Sequence, residues 1–208
     1  IGAENVLIAN PRDIKSFLKV LEKKKFTVMT AVNTLFNLLL TSKKFKELDF
    51  SGFKFSVGGG MAVMSETAKN WKKVTGTNIT QGYGLTETSP VVSINKIGNP
   101  FNGSIGLPVQ STNIKIIDES GKYVDDEQPG ELCVKGPQVM SGYWKYKDDQ
   151  ENPFTDDGFF KTGDIAAISK DGYLTIVDRK KDMIISSGYN VFPNELEDFL
   201  STHPDILE

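Results

Sequence analysis

Short apolar runs alternate with segments of helical periodicity over the first 80 residues, and this alternation constrains the fold more than any other feature. Residues 6–8, 26–31 and 53–57 have the length and apolar character of buried strands. A helix is predicted to begin at Asn10-Pro11, since Asn caps helices and Pro suits the first helical position. A β-α-β-α alternation predicts a parallel sheet with helices packed against it.

The helices of this alternation have apolar faces. Residues 32–40 form a largely apolar segment after the second strand, and Met64, Ala68 and Trp71 recur at helical spacing after the third. Gly76 follows that helix, as glycine often does at a helix end. The pattern predicts an α/β class for this part of the chain.

Two glycine-rich segments follow predicted strands. Residues 58–60 are Gly-Gly-Gly, and residues 81–90 combine two glycines with an aromatic residue, hydroxyls and a carboxylate. Both segments are expected at the carboxyl ends of neighbouring strands, where open α/β sheets bind ligands. Together they predict a binding site.

The second segment has the residue types that a phosphate group requires. Glycines on both sides of Tyr83 permit sharp turns and close approach of a ligand. Thr86 supplies a hydroxyl donor, and Glu87 supplies the hard oxygen that magnesium prefers. A structural turn can have the same composition, so this segment alone leaves both interpretations open.

Five further segments follow in order along the chain. They are GELCVKG at 130–136, SGYW at 141–144, FFKTGD at 159–164, DRKKD at 178–182 and SGYN at 187–190. With these segments the sequence strongly resembles the ATP-dependent adenylate-forming ligases. Within that superfamily it is most similar to the bacterial long-chain fatty acid–CoA ligases, and the resemblance runs from Asn5 to the last residue.

The resemblance implies part of the large domain of such a ligase, followed by the start of its C-terminal domain. Residues 1–102 would be the C-terminal part of an α/β acyl- and nucleotide-binding subdomain. Residues 103–178 would be a small β-rich, barrel-like subdomain, in agreement with their short strands and Gly-containing turns. Residues 179–182 would be a hinge, and 183–208 would begin the C-terminal domain with a helix led by Pro193.

Nucleotide binding and catalysis are also implied by the resemblance. Thr86 would bond the α-phosphate and Glu87 would coordinate Mg²⁺, and these two residues are the catalytic candidates. Tyr83 would lie against adenine, and Asp164 would accept hydrogen bonds from both ribose hydroxyls beside Arg179. The implied nucleotide-binding set is Gly58, Gly59, Gly60, Gly82, Tyr83, Gly84, Thr86, Asp164 and Arg179.

Each of these roles has a structural alternative. Glu87 could cap a helix, Tyr83 could pack in the core, and Asp164 could form a turn after Gly163. Arg179 could make a surface ion pair, and such pairs contribute little to stability. A simple strand-to-helix turn would equally explain residues 58–60.

The remaining implied roles concern the other substrates and the hinge. Val32, Asn33 and Phe36 would contact the acyl chain, although a buried strand and helix would give the same pattern. Lys181 would be the pivot between the domains, and Gly188 would lie where CoA passes. The charged segment around Lys181 suits an exposed turn as well as a hinge.

The implied reaction has two steps. A fatty carboxylate attacks the α-phosphate of ATP to give acyl-AMP and pyrophosphate, and the thiol of CoA then displaces AMP. Mg²⁺ would be the cofactor, with ATP, CoA and fatty acid as substrates. Two alternatives remain open: another adenylating ligase, such as an aryl or amino acid activator or an acyl-AMP ligase, and a non-catalytic nucleotide-binding module.

Composition indicates which partners and which cellular compartment to expect. The net charge of −3 shows no basic excess, so no nucleic-acid partner is expected. The single cysteine, Cys133, predicts a reducing compartment, and no apolar stretch approaches the roughly 20 residues that span a bilayer. We expect a cytoplasmic protein. The resemblance leaves open peripheral association with the inner face of the membrane and a homodimer.

The ends of the sequence suggest a fragment. The chain opens at Ile1 and contains neither the Gly- and Ser/Thr-rich phosphate loop nor the C-terminal lysine of the resembling ligases. On its own it is therefore expected to make no acyl-CoA, because half a site does not orient the reactants.

Overall fold

The computed structural model of the chain describes residues 2–124, 127–145, 152–187, 189–203 and 205–206. Within them, five strands form a first sheet in the order β1-β2-β3-β4-β5. β1, β2 and β3 run parallel, which confirms the sequence prediction, whereas β4 and β5 add to the sheet as antiparallel strands. The elements of this part are α1 (Ile14–Lys23), β1 (Val28–Ala31), α2 (Asn33–Thr41), α3 (Lys43–Lys46), β2 (Phe55–Gly58), α4 (Ser65–Thr75), β3 (Ile79–Gly84), β4 (Val91–Ile94) and β5 (Leu107–Pro108).

An aromatic cluster forms the core between this sheet and its helices. Trp71 of α4 and Phe36 of α2 are fully buried, with ring centroids 4.6 Å apart. Phe45 of α3 stacks on the other side of Trp71 at 5.2 Å. Burying side chains of this size drives much of the folding of a small α/β unit.

A second sheet has four antiparallel strands in the order β6-β7-β8-β9. β6 and β9 are its outer strands in the part of the chain that the structure describes, and an antiparallel bridge between Gly106 and Leu174 attaches β9 to the residues that lead into β5. Val92 of β4 packs into the core of this sheet, and Ile105 donates its N–H to Leu174 of β9 at 2.8 Å. The core of the second sheet therefore includes a residue of the first sheet, and the two sheets are in contact. The strands are β6 (Asn113–Ile117), β7 (Gly130–Lys135), β8 (Phe160–Ile168) and β9 (Leu174–Arg179).

The last described segment is a hairpin and a helix. β10 (Ile184–Ser186) pairs with β11 (Tyr189–Val191), and α5 (Pro193–Leu200) follows with Pro193 in its first turn. The helix predicted from its leading proline has these bounds, so that prediction is confirmed. Several of its apolar side chains are exposed, among them Phe199 at 75%.

Two predictions near the amino terminus are wrong. Residues 6–8 form no strand, and Leu7 is 91% exposed, because no strand among the residues that the structure describes pairs with them. The first helix begins at Ile14 rather than at Asn10-Pro11, since the Asp13 side chain accepts the N–H of Ser16 and caps it there. Among the described residues, we find no helix with the length and apolar character needed to cross a membrane.

Candidate functional site

The glycine-rich segment at the end of β3 is held in a tight loop. A Cβ at Gly84 would lie 1.9 Å from the carbonyl oxygen of Pro90, so only glycine fits there without rearrangement. Leu85 donates its N–H to the same oxygen at 2.9 Å, and the hydroxyl of Thr88 donates to it at 2.6 Å. The end of the loop is therefore bonded to its beginning, and the residues at its tip face solvent.

Thr86 and Glu87 lie at this tip, in the single 3₁₀ turn Thr86–Thr88. Thr86 is exposed and Glu87 is half-buried. The Glu87 carboxylate accepts a hydrogen bond from the phenol of Tyr143 at 2.8 Å, and its backbone carbonyl accepts the N–H of Met140 at 2.8 Å. These two bonds tether the loop to the residues that follow β7.

Tyr83 and Asp164 meet across the boundary between the two sheets. The phenol of Tyr83, near the end of β3, donates a hydrogen bond to the Asp164 carboxylate in the middle of β8. Arg179 is the cross-strand partner of Asp164, with its Nε 3.9 Å from Oδ1. Three residues that the sequence assigned to adenine and ribose thus lie together.

The protonation of this group follows from its burial. Burial raises the pKa of Asp164 above its ordinary value, although the Tyr83 hydrogen bond and the Arg179 charge act in the opposite direction. Burial and the adjacent Asp164 carboxylate also raise the pKa of Tyr83 far above its ordinary value. The phenol therefore remains a hydrogen-bond donor throughout the physiological pH range.

Asp164 and Arg179 open onto a cleft, whereas Tyr83 is not among the residues that line it. It consists of two adjoining cavities of about 370 Å³ and about 500 Å³ that share Leu85, Thr162, Gly163 and Lys180. Other lining residues are Glu87, Glu131, Tyr143, Lys161, Asp164, Arg179 and Lys181. The cleft thus brings Glu87 and the predicted ribose and hinge residues onto one surface, whereas Thr86 is not among its lining residues.

The donor set in the cleft fits a magnesium ion that is shared with a phosphate. No group of three or more His, Cys, Asp or Glu residues that could hold a metal occurs in residues 2–124, 127–145, 152–187, 189–203 or 205–206. Glu87 offers a carboxylate on the cleft wall, with one oxygen bonded to Tyr143. Mg²⁺ commonly takes one or two carboxylates and completes its shell with substrate phosphates and water.

The three glycines at residues 58–60 have distinct surroundings. A Cβ at Gly58 would come within 2.6 Å of Val63 and 2.9 Å of Ile79, so core packing alone requires glycine there. A Cβ at Gly59 would face the carbonyl oxygen of Gly82 at 3.3 Å, while Gly60 has a φ of 80°. The segment ends β2 beside β3, as the sequence predicted. Its role as a wall beside the ligand remains a prediction.

The residues predicted to bind an acyl chain are partly engaged elsewhere. Phe36 is fully buried in the aromatic core, and Asn33 is buried with its side-chain oxygen accepting the N–H of Met64 at 3.0 Å. Val32 is 39% exposed. Of the three, only Val32 presents substantial surface, and acyl binding remains a prediction.

Lys181, the predicted pivot, follows a firmly anchored residue. Lys180 donates its N–H to the carbonyl of Gly163 at 2.9 Å, and its ammonium lies 2.8 Å from the carboxylate of Glu131. Lys181 itself is exposed and lines the cleft. Gly188, predicted to lie near CoA, falls outside the described residues.

The sequence interpretation gave no role to three residues that line the cleft, Glu131, Tyr143 and Lys180. Glu131 could have been recognised from the sequence, because it is a carboxylate inside the otherwise apolar strand β7. In the structure Glu131 is 8% exposed. Tyr143 lies in one of the segments that carried the family resemblance. Nothing in the sequence identifies Lys180 as a site residue, because a lysine in a charged segment is usually solvated.

The profile of the family described as "AMP-binding enzyme" matches residues 1–144, more than half of the chain. The chain belongs to the AMP-binding enzyme family. A long-chain-fatty-acid–CoA ligase of Escherichia coli O6:H1 is 52% identical over 209 residues, and one of Bacillus subtilis strain 168 is 38% identical over 210.

Solved structures of family members agree with this assignment. The anthranilate CoA ligase AuaEII in complex with anthranoyl-AMP superposes with a TM-score of 0.92 over all of this chain, at 28% identity. ATP-bound MatB from Rhodopseudomonas palustris superposes with a TM-score of 0.81 over 94% of the chain, at 31% identity. The α/β fold of part of an adenylate-forming ligase, predicted from the sequence, is thereby confirmed.

This chain spans only part of each of these proteins. It matches both curated ligases over its whole length but covers 37% of theirs. It covers 40% of AuaEII and 38% of MatB. The chain therefore corresponds to a portion of an AMP-binding enzyme.

Proposed function

We propose that this chain is the adenylate-binding portion of a long-chain fatty acid–CoA ligase. The observation that carries the proposal is the cleft in which Glu87, Asp164 and Arg179 share one surface, in a chain 52% identical to a protein named for this activity. In the proposed reaction, ATP and a fatty acid give acyl-AMP and pyrophosphate, and CoA then takes the acyl group and releases AMP.

The ribose end of the nucleotide is assigned to Asp164 and Arg179. An ionised carboxylate has enough lone pairs to accept hydrogen bonds from both hydroxyls of a vicinal diol. Tyr83 holds this carboxylate from the side of the first sheet, leaving its remaining lone pairs for the ligand. The ring of Tyr83 offers an aromatic face of the kind that stacks on a nucleobase.

The phosphate end is assigned to Thr86 and Glu87. The Thr86 hydroxyl is exposed at the tip of the loop and is suited to donate a hydrogen bond to an α-phosphate oxygen. Bound Mg²⁺ would neutralise charge on the phosphate oxygens, and Glu87 would hold it. Fixed donors of this kind act where charge develops during attack of the carboxylate, which is where electrostatic stabilisation is most effective.

The second half-reaction is assigned to a different arrangement of the residues around Lys181. In the resembling ligases the C-terminal domain rotates between adenylation and thioester formation, and Lys181 is our candidate for that pivot. Gly188 is our candidate for a contact with CoA. Association with the inner face of a membrane and a homodimer also remain proposals from the resemblance, as do the domain bounds at residues 102, 178 and 182.

The test is an assay of a full-length protein that carries this chain, with a panel of carboxylic acids. We expect long-chain fatty acids to support ATP–pyrophosphate exchange, and we expect CoA to release AMP and form the thioester. Preference for an aryl acid would assign the chain to a different adenylating ligase. Exchange without transfer to CoA would indicate an acyl-AMP ligase, and no exchange with any acid would favour a non-catalytic nucleotide-binding module.

A further inference from the structure

The amino terminus of α4 is bonded to side chains from three other elements. Three consecutive backbone N–H groups donate to side-chain oxygens that are distant in sequence. Val63 donates to Gln81 at 2.9 Å, Met64 donates to Asn33 at 3.0 Å, and Ser65 donates to Asp198 at 3.0 Å. These three bonds fix the residues at the start of α4, which follow the glycines of residues 58–60 in the chain.

The bond to Asp198 comes from the far end of the chain. One carboxylate oxygen of Asp198 accepts the N–H of Ser65, and the other accepts its hydroxyl at 3.1 Å. The residue in the N-cap position, Met64, has no side chain that can cap the helix. A carboxylate is well placed there, because the first turn of a helix leaves N–H groups without partners and carries positive partial charge.

A second contact links the same helix to the body of the protein. The buried carboxylate of Asp178 accepts the N–H of Asn194 at 3.1 Å, in the first turn of α5. The side-chain amide of Asn194 donates in return to the carbonyl of Val177 at 3.2 Å. α5 is therefore attached to β9 at its start and to α4 through Asp198 one turn later.

Both contacts bridge the segment that contains the proposed pivot. Asp178 and Ser65 precede Lys181 in the chain, whereas Asn194 and Asp198 follow it. A rotation about Lys181 would carry α5 away from β9 and from α4. Such a rotation would break both contacts. The two contacts are therefore compatible with only one orientation of α5 about Lys181, which we call one setting of the hinge.

We propose that Asp198 is a positioning residue that caps α4 from the neighbouring segment and stabilises one setting of the hinge. The cap therefore couples the position of the C-terminal segment to the start of α4. The existence of the cap is independent of the proposed function, whereas its effect on catalysis rests on that function.

The first test uses hydrogen–deuterium exchange on a full-length protein that carries this chain. Asp198→Ala removes both acceptors, and Glu197→Ala is its matched control on the same helix. In the part of the chain that the structure describes, the Glu197 side chain makes no hydrogen bond or ion pair. We expect Asp198→Ala to raise the exchange rate of the Ser65 amide and of α5 by about fivefold, the range for loss of a helix cap.

Two further comparisons of exchange rates decide whether the proposal holds. Asp198→Asn keeps one oxygen acceptor and should give an intermediate rate, while strand β9 should exchange at the wild-type rate in every variant. Equal exchange at Ser65 in Asp198→Ala and Glu197→Ala would overturn the proposal. A general rise that includes β9 would mean simple destabilisation, and it would overturn the proposal too.

The second test measures the two half-reactions in a full-length protein. We expect Asp198→Ala to change the ratio of pyrophosphate exchange to thioester formation from preformed acyl-AMP by about threefold or more, because it removes a contact of one hinge setting. Glu197→Ala should leave the ratio within about twofold by the same reasoning. An unchanged ratio would overturn the catalytic role of the cap. If the wild-type protein made no acyl-AMP, the proposed function would fail, yet the exchange experiment would still decide whether Asp198 caps α4.

Discussion

The phenol of Tyr83 and the carboxylate of Asp164 share a hydrogen bond that joins the parallel sheet to the antiparallel sheet across 81 residues of sequence. The two residues are also the candidates for adenine and ribose, so one bond supports both the packing of the two sheets and the geometry of the site. Arg179 lies opposite Asp164 on the adjacent strand. The proposed nucleotide end of the cleft is therefore organised without a ligand, which would lower the entropy cost of binding.

Burial of the Asp164 carboxylate predicts a pH-dependent stability effect. Its pKa is raised in the folded chain, so ionisation of Asp164 destabilises the fold. This loss of stability begins above the ordinary pKa of 3.8 and is complete once the pH exceeds the raised pKa. We expect Asp164→Asn to raise the Tm near pH 7, and this gain should shrink as the pH falls towards that ordinary value. Thermal unfolding at several pH values measures the difference.

The exposed turn residue Asp171 provides the control, because Asp171→Asn should change the Tm little at any pH. A lower Tm for Asp164→Asn near neutral pH would contradict the prediction. It would mean that the bonds to Tyr83 and Arg179 stabilise the ionised carboxylate more than burial penalises it.

The closed loop after β3 predicts a large cost for a single methyl group. Gly84→Ala would place a Cβ 1.9 Å from the Pro90 carbonyl oxygen, so the loop must open. We expect a loss of more than about 2 kcal/mol in the free energy of unfolding, which denaturant titration would measure. Gly52→Ala, at a glycine with no atom within 4 Å of the added Cβ, should stay within about 0.5 kcal/mol. Similar losses in the two variants would show that the loop is not closed.

Glu87 is predicted to hold magnesium during adenylation. In a full-length protein, Glu87→Gln keeps the volume but removes the charge, so acyl-AMP formation at ordinary magnesium should fall at least about tenfold, or about 1.4 kcal/mol. Pyrophosphate exchange measures this rate, and binding of Mn²⁺ in the presence of ATP gives a second readout. Glu119→Gln, in an exposed turn, is the control. Near-wild-type exchange in Glu87→Gln would remove the assignment.

The pivot at Lys181 predicts that the two half-reactions can be separated. Lys181→Pro fixes φ near −65°, so it should trap one setting of the hinge and spare one half-reaction while most of the other is lost. Lys181→Ala should do much less. Pyrophosphate exchange and thioester formation from preformed acyl-AMP are measured on the same preparation. Equal loss of both with a lowered Tm would mean destabilisation alone and would refute the hinge assignment.

Local sequence signals predicted most of the regular elements. α5 begins at Pro193, as predicted, because a leading proline acts locally at the start of a helix. Gly76 ends α4 with a φ of 75°, as expected for a glycine at that position. α3 was missed, although Ser42 caps it by accepting the N–H of Phe45.

Tertiary relationships were not accessible from the sequence. The antiparallel addition of β4 depends on its pairing with Tyr83, and nothing in Val91–Ile94 distinguishes a parallel from an antiparallel strand. Phe36 is fully buried in the aromatic core, and the apolar pattern of the sequence does not distinguish a core residue from a ligand contact. The cap that Asp198 provides for Ser65 joins residues 133 apart, and such a pairing leaves no local signal.

The central claim is that the cleft around Asp164 binds an adenylate, and the affinity of a full-length protein for a non-hydrolysable long-chain acyl-AMP analogue tests it most directly. Isothermal titration should show binding by the wild-type protein and by the surface control Asp171→Ala. Asp164→Ala removes two charge-assisted hydrogen bonds to ribose, so its Kd should rise at least about tenfold while the protein remains folded. Equal affinity of the folded Asp164→Ala and Asp171→Ala proteins would contradict the account.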